Sequence, residues 1–401
     1  MSPALAETLS VFSQMVFEGN DLPDTFWQLH TSANLSALGA KARPVACGDV
    51  LRRIIGGTFC REQGRAISEC FQSIGQFGVS VPGGSEAMAL RATLGYQQKY
   101  AVLTYDAKNA FNAMRRREIL PAVAKLIPSL APYALNLYVR EPPQLLYKTA
   151  TGETEIISSR TGVQQGCNLG PLCYSIGAMD LLREFRDNPP VANAQILSYI
   201  DDITVLLPPQ EAQNATAVQA VTVWLQQRME PLGITINCRK SKILFPPGTC
   251  IDQWPAENRA VLARSQLTVA SQGLRVVGIP VGEEDYIIRE VSETTKGEPA
   301  TLLRELAQME DAQASFQILR LSAITRLNFL LRALPPALTQ GAAAEFDALV
   351  DWTLAAIVAG PLQSQNQLPS AQDARLPVRE GGLGLPSAVE VSGPAFIGCQ
   401  A

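Results

Sequence analysis

Asp201 and Asp202 stand side by side in Tyr199-Ile200-Asp201-Asp202, between the apolar runs Ile196-Leu197-Ser198 and Ile203-Thr204-Val205-Leu206-Leu207. Strand-like runs on both sides of an Asp-Asp pair predict a β-hairpin whose tip presents acidic oxygens. Such hard donors suit a cation such as Mg²⁺. A third carboxylate, Asp106, ends another apolar run, Tyr100 to Tyr105, and can lie beside the hairpin on the same sheet. Carboxylates gathered at strand ends are what two-metal phosphoryl or nucleotidyl transfer requires. The pair alone reads better as a solvated turn. Its surroundings decide between the two.

The elements that must position these groups follow from pattern and punctuation. Gly83-Gly84-Ser85-Glu86 marks a turn with a helix start, and a helix is expected over Glu86 to Lys99. Residues 112 to 126 look helical and stop before Pro128. A polar hairpin over Leu145 to Ser159 turns at Thr151-Gly152-Glu153, and a Gly-rich loop, Thr161 to Gly170, opens into an apolar helix from Pro171 to Arg186. After the Asp-Asp hairpin, Glu211 to Met229 reads as an amphipathic helix ended near Gly233. Short strands are expected near Ile234–Asn237 and Ile243–Phe245, then a turn at Val276 to Pro280 and a helical stretch from Pro299 to Leu334. The order implies an α+β domain with a helical appendage.

Composition narrows the class. At 401 residues, 47% hydrophobic and 17% charged, the chain is folded and long enough for two or three domains or subdomains. The net charge of −4 does not announce a nucleic-acid binder. Cationic residues are nevertheless clustered, at Lys41, Arg43, Arg52, Arg53, Arg61 and Arg65, at Arg115 to Arg117, and at Arg239-Lys240-Ser241-Lys242, so a locally basic groove is compatible with the acidic whole. Eight cysteines without a CxxC pair, beside the single histidine His30, exclude a zinc knuckle. The cysteines read as reduced and structural in an intracellular protein. No apolar stretch is long enough to cross a membrane.

With these pieces in order, the chain resembles a reverse transcriptase of the non-LTR retrotransposon (LINE-like) type over roughly Arg43 to Leu334. Leu103 to Asn112 looks like polymerase motif A. Gly162-Val163-Gln164-Gln165-Gly166-Cys167-Asn168-Leu169-Gly170-Pro171-Leu172 looks like motif B, with Asn168 where the family has proline. Tyr199 to Asp202 matches motif C, Gly233 to Lys240 looks like motif D, and Val276 to Pro280 resembles the primer-grip turn. Leu376 to Leu385 is similar to sequence downstream of the polymerase in such elements. The implied fold is the polymerase right hand, with fingers, a palm built on an antiparallel sheet, and a helical thumb. A lead-in would span residues 1–40, fingers and palm 41–290, a thumb-like region 291–345, and a C-terminal extension 346–401.

The resemblance implies roles residue by residue. Asp106, Asp201 and Asp202 would hold two Mg²⁺ ions, with Mn²⁺ as a substitute. Phe111 would be an aromatic gate under the nucleotide sugar, favouring dNTPs over rNTPs. Gln165 and Gly166 would contact nucleotide and template. Lys240 would protonate the leaving pyrophosphate or stabilise its charge. Arg52 or Arg53, in the fingers segment, would meet phosphates. A primer 3′-hydroxyl would attack the α-phosphate in line on an RNA template, extending a DNA primer. Each residue also has a plainer reading: Phe111 as core, Lys240 as a solvated lysine, Arg115 to Arg117 as an exposed helix face, Cys167 as packing, His30 as a surface or interface residue. A catalytically silent or domesticated nucleic-acid-binding descendant is the competing function, and RNA-templated RNA synthesis is a third that Phe111 argues against. Nuclear residence would fit target-primed integration, though no localisation signal is apparent.

Overall fold

The computed structural model describes residues 2–19, 22–39, 42–359 and 370–400. Lys41, part of the basic stretch, lies outside the described residues. The described chain divides into two compact units, one of Met1–Ser85 with Gln98–Val269, the other of Glu86–Gln97 with Ala270–Ala401.

In the first unit the strands are β1 (Ala33–Leu38), β2 (Arg43–Gly48), β3 (Ala101–Tyr105), β4 (Ala107–Lys108), β5 (Gln144–Lys148), β6 (Thr154–Ser158), β7 (Gln195–Tyr199), β8 (Asp202–Leu207), β9 (Thr235–Ile236), β10 (Lys242–Leu244) and β11 (Thr268–Ala270, ending at the boundary). Five of them form a sheet in the order β11-β10-β3-β8-β7, with β10–β3, β3–β8 and β8–β7 all antiparallel. This is the antiparallel sheet expected of a palm. The apolar runs that announced β3 and β8 are buried from Ala101 to Leu103 and from Ile203 to Leu207, because helices cover the sheet. Helix Ala215–Met229 is one cover: its Val218, Val221 and Leu225 are fully buried, and Thr222 shares a 3.0 Å hydrogen bond with the Tyr105 hydroxyl at the end of β3. Helices Gly170–Gly177 and Met179–Asp187 contribute Leu172, Cys173, Ile176, Leu182 and Phe185 to the same core.

A second, four-stranded sheet runs β2-β1-β5-β6, with β1 parallel to β5. The expected polar hairpin is here, as β5 and β6, turning at Gly152 with φ +87°. Residues 2–19 and 22–39, expected as a lead-in, carry regular structure. They form helix α1 (Pro3–Phe17), helix α2 (Asp24–Thr31) and β1, and they put Val16, Trp27 and His30 into the interior. Helix α3 (Val50–Glu62) follows β2, its N-terminus capped by Asp49, whose Oδ1 accepts from the Arg52 N–H at 2.8 Å.

The second unit takes residues 86–97 from the helix Gly84–Gln97, then continues with the hairpin of β12 (Gly273–Val276) and β13 (Ile279–Gly282). Its two turn residues, Val277 and Gly278, both have positive φ, which gives the tight turn expected at this position. The helical stretch beyond is broken into Glu284–Lys296, Glu298–Ala307, Ala312–Leu321 and Asn328–Ala333, before the long helix Pro336–Ala359. Leu303, Leu319 and Leu331 share one core with Phe346, Leu354, Ala374 and Leu385, so described residues on both sides of position 345 pack together.

Candidate active site

The hairpin of β7 and β8 closes with Tyr199 opposite Asp202, which leaves Ile200 and Asp201 as its two turn residues. The β3–β8 ladder pairs Tyr105 with Ile203; one step further along it, Asp106 stands at the level of Asp202. The three carboxylates therefore converge at one end of the sheet because two apolar runs share a register. All three line one cavity of about 880 Å³, with Arg43, Phe111, Gln165 and Lys240 also in its wall.

The chain after Asp106 is clamped on both sides. The Asp106 N–H donates to Ser241 Oγ at 3.0 Å, the Ser241 hydroxyl donates to the Asn237 carbonyl at 2.9 Å, and the Asn237 N–H returns to the Asp106 carbonyl at 2.7 Å. The two-strand ladder of β4 and β9 continues this clamp, pairing Ala107 with Ile236. The segment bearing Lys240 is thus bound to the segment bearing Asp106. Ser241, almost fully buried, escaped sequence reasoning, since nothing in its immediate sequence marks a serine that satisfies a backbone amide far away.

Phe111 is 8% exposed and stacks on the buried Tyr174, centroids 5.1 Å apart and planes at 11°. The ring is both core and cavity wall, so the two sequence readings of Phe111 are compatible. The motif B loop lies against it: the Gly162 N–H donates to Met114 O at 2.9 Å and the Val163 N–H to Phe111 O at 2.8 Å. Gly162, at φ +66°, touches the backbone of Phe111 and Asn112 so closely that a Cβ would collide. Gln165 reaches the cavity. Gly166, at φ +100°, backs onto β2, where a Cβ would meet Ala46 O at 2.7 Å and where the Ala46 N–H donates to Gln165 O.

Two assignments change. Arg52 is 3% exposed and away from the cavity: its Nη1 donates to Thr31 O at 3.1 Å and its Nη2 to Gln164 Oε1 at 2.7 Å. Arg53 is exposed on α3 and outside the cavity wall. The cation of this segment that does face the carboxylates is Arg43, at the start of β2. Helix periodicity hides the difference, because on α3 the inward face happens to carry an arginine, and Gln164 meets it across 112 residues of sequence. His30 is also corrected. It is 2% exposed, with Nδ1 3.3 Å from Asp49 Oδ2 and Nε2 2.9 Å from the Tyr133 hydroxyl. These partners fit a neutral ring whose Nδ1–H donates to Asp49 and whose Nε2 accepts from Tyr133. Burial is the main cause that pulls its pKa down to about 4.

The electrostatics of the cavity favour a cation. Burial first, then the charge of Asp106, raises the pKa of Asp201. Asp202 opens to solvent on one side yet is hemmed in by protein on the others, and loss of water followed by the charges of Asp201 and Asp106 pushes it up to about 6. Arg43 opposes both shifts. Among the described residues no group of three or more His, Cys, Asp or Glu forms a ready-made metal cage. The donors present are nonetheless the hard oxygens a divalent cation takes, and a cation among them offsets the lost hydration and the repulsion that together raise Asp201 and Asp202, so the residues fit such an ion. Ile200 takes part in this geometry at some cost. At φ +58° it is a β-branched residue in the left-handed region, worth on the order of 1–3 kcal/mol of strain that the surroundings must hold.

The family described as reverse transcriptase (RNA-dependent DNA polymerase) matches residues 58–281. The retrotransposable element SLACS 132 kDa protein of Trypanosoma brucei gambiense is 28% identical over 363 residues, which are 88% of this chain and 28% of that protein, so the chain spans less than a third of the relative's length. Among solved structures, apo telomerase from Candida Tropicalis is similar over 90% of this chain and 68% of its own at 10% identity and a TM-score of 0.49. Telomerase from Candida albicans in complex with a TWJ fragment of telomeric RNA is similar over 88% and 66% at 9% identity and a TM-score of 0.45. No helix among the described residues is long and apolar enough to cross a membrane. With the family match covering more than half of its 401 residues and the carboxylates at the end of an antiparallel sheet, the chain belongs to the reverse transcriptase family.

Proposed function

We propose that this chain itself extends a DNA primer on an RNA template, transferring nucleotidyl groups from dNTPs to the primer 3′-hydroxyl. The observation that carries the reading is the convergence of Asp106, Asp201 and Asp202 on a cavity of about 880 Å³ that also holds Phe111, Gln165, Lys240 and Arg43. Polymerases of this family generally use divalent metals. Here Asp106, Asp201 and Asp202 would hold Mg²⁺, which when bound supplies positive charge where the phosphates react. The remaining work falls to the chain. Arg43 and Lys240 carry charge toward the triphosphate and the departing pyrophosphate. Phe111, pinned by Tyr174, occupies the space a ribose 2′-hydroxyl would need. Gln165 orients the base pair from a loop whose glycines let backbone approach backbone. The β12–β13 turn and the helices after it would serve the primer and the product duplex.

The test is primer extension on an RNA template with dNTPs and Mg²⁺, beside an Asp201→Asn variant that keeps the side chain's shape. Extension by the wild type and a loss on the order of 10³-fold in the variant support the reading, the size expected when a group stabilising developing charge is removed. A folded wild-type chain that extends no primer with either Mg²⁺ or Mn²⁺ would instead be a silent nucleic-acid-binding descendant.

A further inference from the structure

The turn that carries Asp201 is gripped by a segment that contributes nothing to the cavity wall. Ile74-Gly75-Gln76-Phe77-Gly78 runs along the free edge of β7 as a short parallel bridge. The Ser198 N–H donates to Gly75 O and the Phe77 N–H to Ser198 O, both at 2.7 Å. The Gln76 side chain is fully buried and every atom of its amide is used. Oε1 accepts from the Gly78 N–H and from the Ile200 N–H, each at 2.8 Å. Nε2 donates to Ser198 Oγ at 3.1 Å and to Ile200 O at 3.4 Å. One primary amide thus pairs with both the N–H and the C=O of the single residue that sits left-handed in the turn.

We propose that Gln76 is a positioning residue for catalysis, holding Ile200 in its left-handed conformation and thereby fixing where the Asp201 carboxylate stands. The chemistry of the position admits few replacements. Two accepted and two donated bonds require a primary amide. Asparagine is one methylene short, glutamate cannot donate, and an aliphatic residue leaves the Ile200 N–H buried without a partner. The flanking glycines belong to the same device. A Cβ at Gly75 would strike Ile196 O, and one at Gly78 would meet the Ile200 side chain and N–H, so the clasp closes only with glycine on both sides. The pattern Gly-Gln-x-Gly is therefore read by the backbone of the hairpin, 122 residues away along the chain.

The role bears on catalysis only if the chain polymerises as proposed above, and the experiment keeps the two questions apart. Gln76→Met is prepared alone and with Ile200→Gly, since glycine occupies φ +58° without help. Hydrogen exchange of the segment 195–207 is followed on the full chain without metal, and single-nucleotide incorporation is timed on a primed RNA template with Mg²⁺. In Gln76→Met, the maximal incorporation rate falls on the order of 100-fold with little change in dNTP affinity, as expected of a reacting group displaced rather than removed. Exchange in 195–207 accelerates at least about tenfold while β3 stays protected. With glycine at position 200 the rate loss caused by Gln76→Met shrinks to about threefold or less, the non-additivity that marks a shared function. A rate loss of equal size in both backgrounds overturns the proposal, as does a Gln76→Met chain with wild-type rate or wild-type exchange. If Gln76→Met does not fold, Gln76→Glu, which keeps both accepted bonds, enters the same comparisons under the same criteria. If the wild type extends no primer, the polymerase reading falls, and exchange with and without Ile200→Gly still judges whether Gln76 holds the turn.

Discussion

Replacing Arg52 by methionine separates a phosphate contact from an internal brace. The guanidinium is 3% exposed and its two bonds, to Thr31 O and to Gln164 Oε1, tie the end of α2 and the motif B loop to α3. Methionine keeps most of the apolar stem and removes both bonds. Hydrogen bonds to charged groups are worth about 1.5–3 kcal/mol each, so the pair accounts for roughly 3–6 kcal/mol, and about 3–5 kcal/mol is the expected loss once the cost of burying the charge itself is relieved. That is a large share of the ~5–15 kcal/mol typical of a folded protein. Arg52→Lys should also lose about 2 kcal/mol, because one ammonium cannot span both acceptors. Urea unfolding followed by circular dichroism reads the stability, and steady-state incorporation reads the KM for dNTP. An Arg52→Met chain with the wild-type urea midpoint and a KM raised tenfold or more would refute the brace and restore the phosphate contact.

Arg43, which does face the carboxylates, should behave in the opposite way: Arg43→Ala raises the dNTP KM about tenfold and changes the unfolding free energy by no more than ~0.5 kcal/mol. Phe111→Val should lower discrimination against rNTPs by about 100-fold, measured as the ratio of kcat/KM for matched dNTP and rNTP, because the ring stacked on Tyr174 cannot swing aside but a smaller side chain leaves room. His30 has its pKa lowered to about 4, chiefly by burial, so the folded chain resists a proton that the unfolded chain accepts near 6.5. Its contribution is complete above about pH 6.5 and is lost as pH falls toward 4, by up to about 3 kcal/mol. Asp202, raised to about 6, works in the opposite sense over the same range, so the difference between the wild type and His30→Gln isolates the histidine. His30 is the chain's one histidine, and its ring resonance can be titrated by NMR without assignment ambiguity.

The parts of the site that were legible in the sequence are those encoded locally. Asp106, Asp201 and Asp202 each sit at the end of a buried apolar run, and run plus turn is enough to predict a strand, a hairpin and the end of the sheet where they meet. The glycines at 162 and 166 were legible as a loop, since positive φ leaves a compositional trace. What stayed hidden is the polar interior. Arg52, His30, Gln76 and Ser241 look like surface residues to any pattern that equates charge or polarity with exposure, and each is buried because a partner more than 100 residues away satisfies it. The lead-in was illegible for the same reason: α1 and α2 carry no chemistry of their own, yet α2 supplies His30 and the Thr31 carbonyl to the brace behind motif B.

Asn168 departs from the family pattern, and its hydrogen-bond partners on α3 supply what the usual residue would. A proline at this position would stiffen the loop by fixing its own φ. Asparagine does not, but here its Nδ2 donates to Arg53 O at 2.8 Å, and its own carbonyl lies 3.6 Å from Cys60 Sγ, so the loop is pinned to α3 at two points. The bond is possible because Gly57 faces it: a Cβ there would come within 2.9 Å of Asn168 Nδ2. A glycine inside a helix costs up to about 1 kcal/mol relative to alanine, a cost that is reasonable only where something must come close. Gly57 and Asn168 are therefore one feature in two places, a side-chain hydrogen bond supplying the stiffness that a pyrrolidine ring would otherwise give. On this argument the change at position 168 preserves the loop that carries Gln165, and it gives no reason to regard the site as silent.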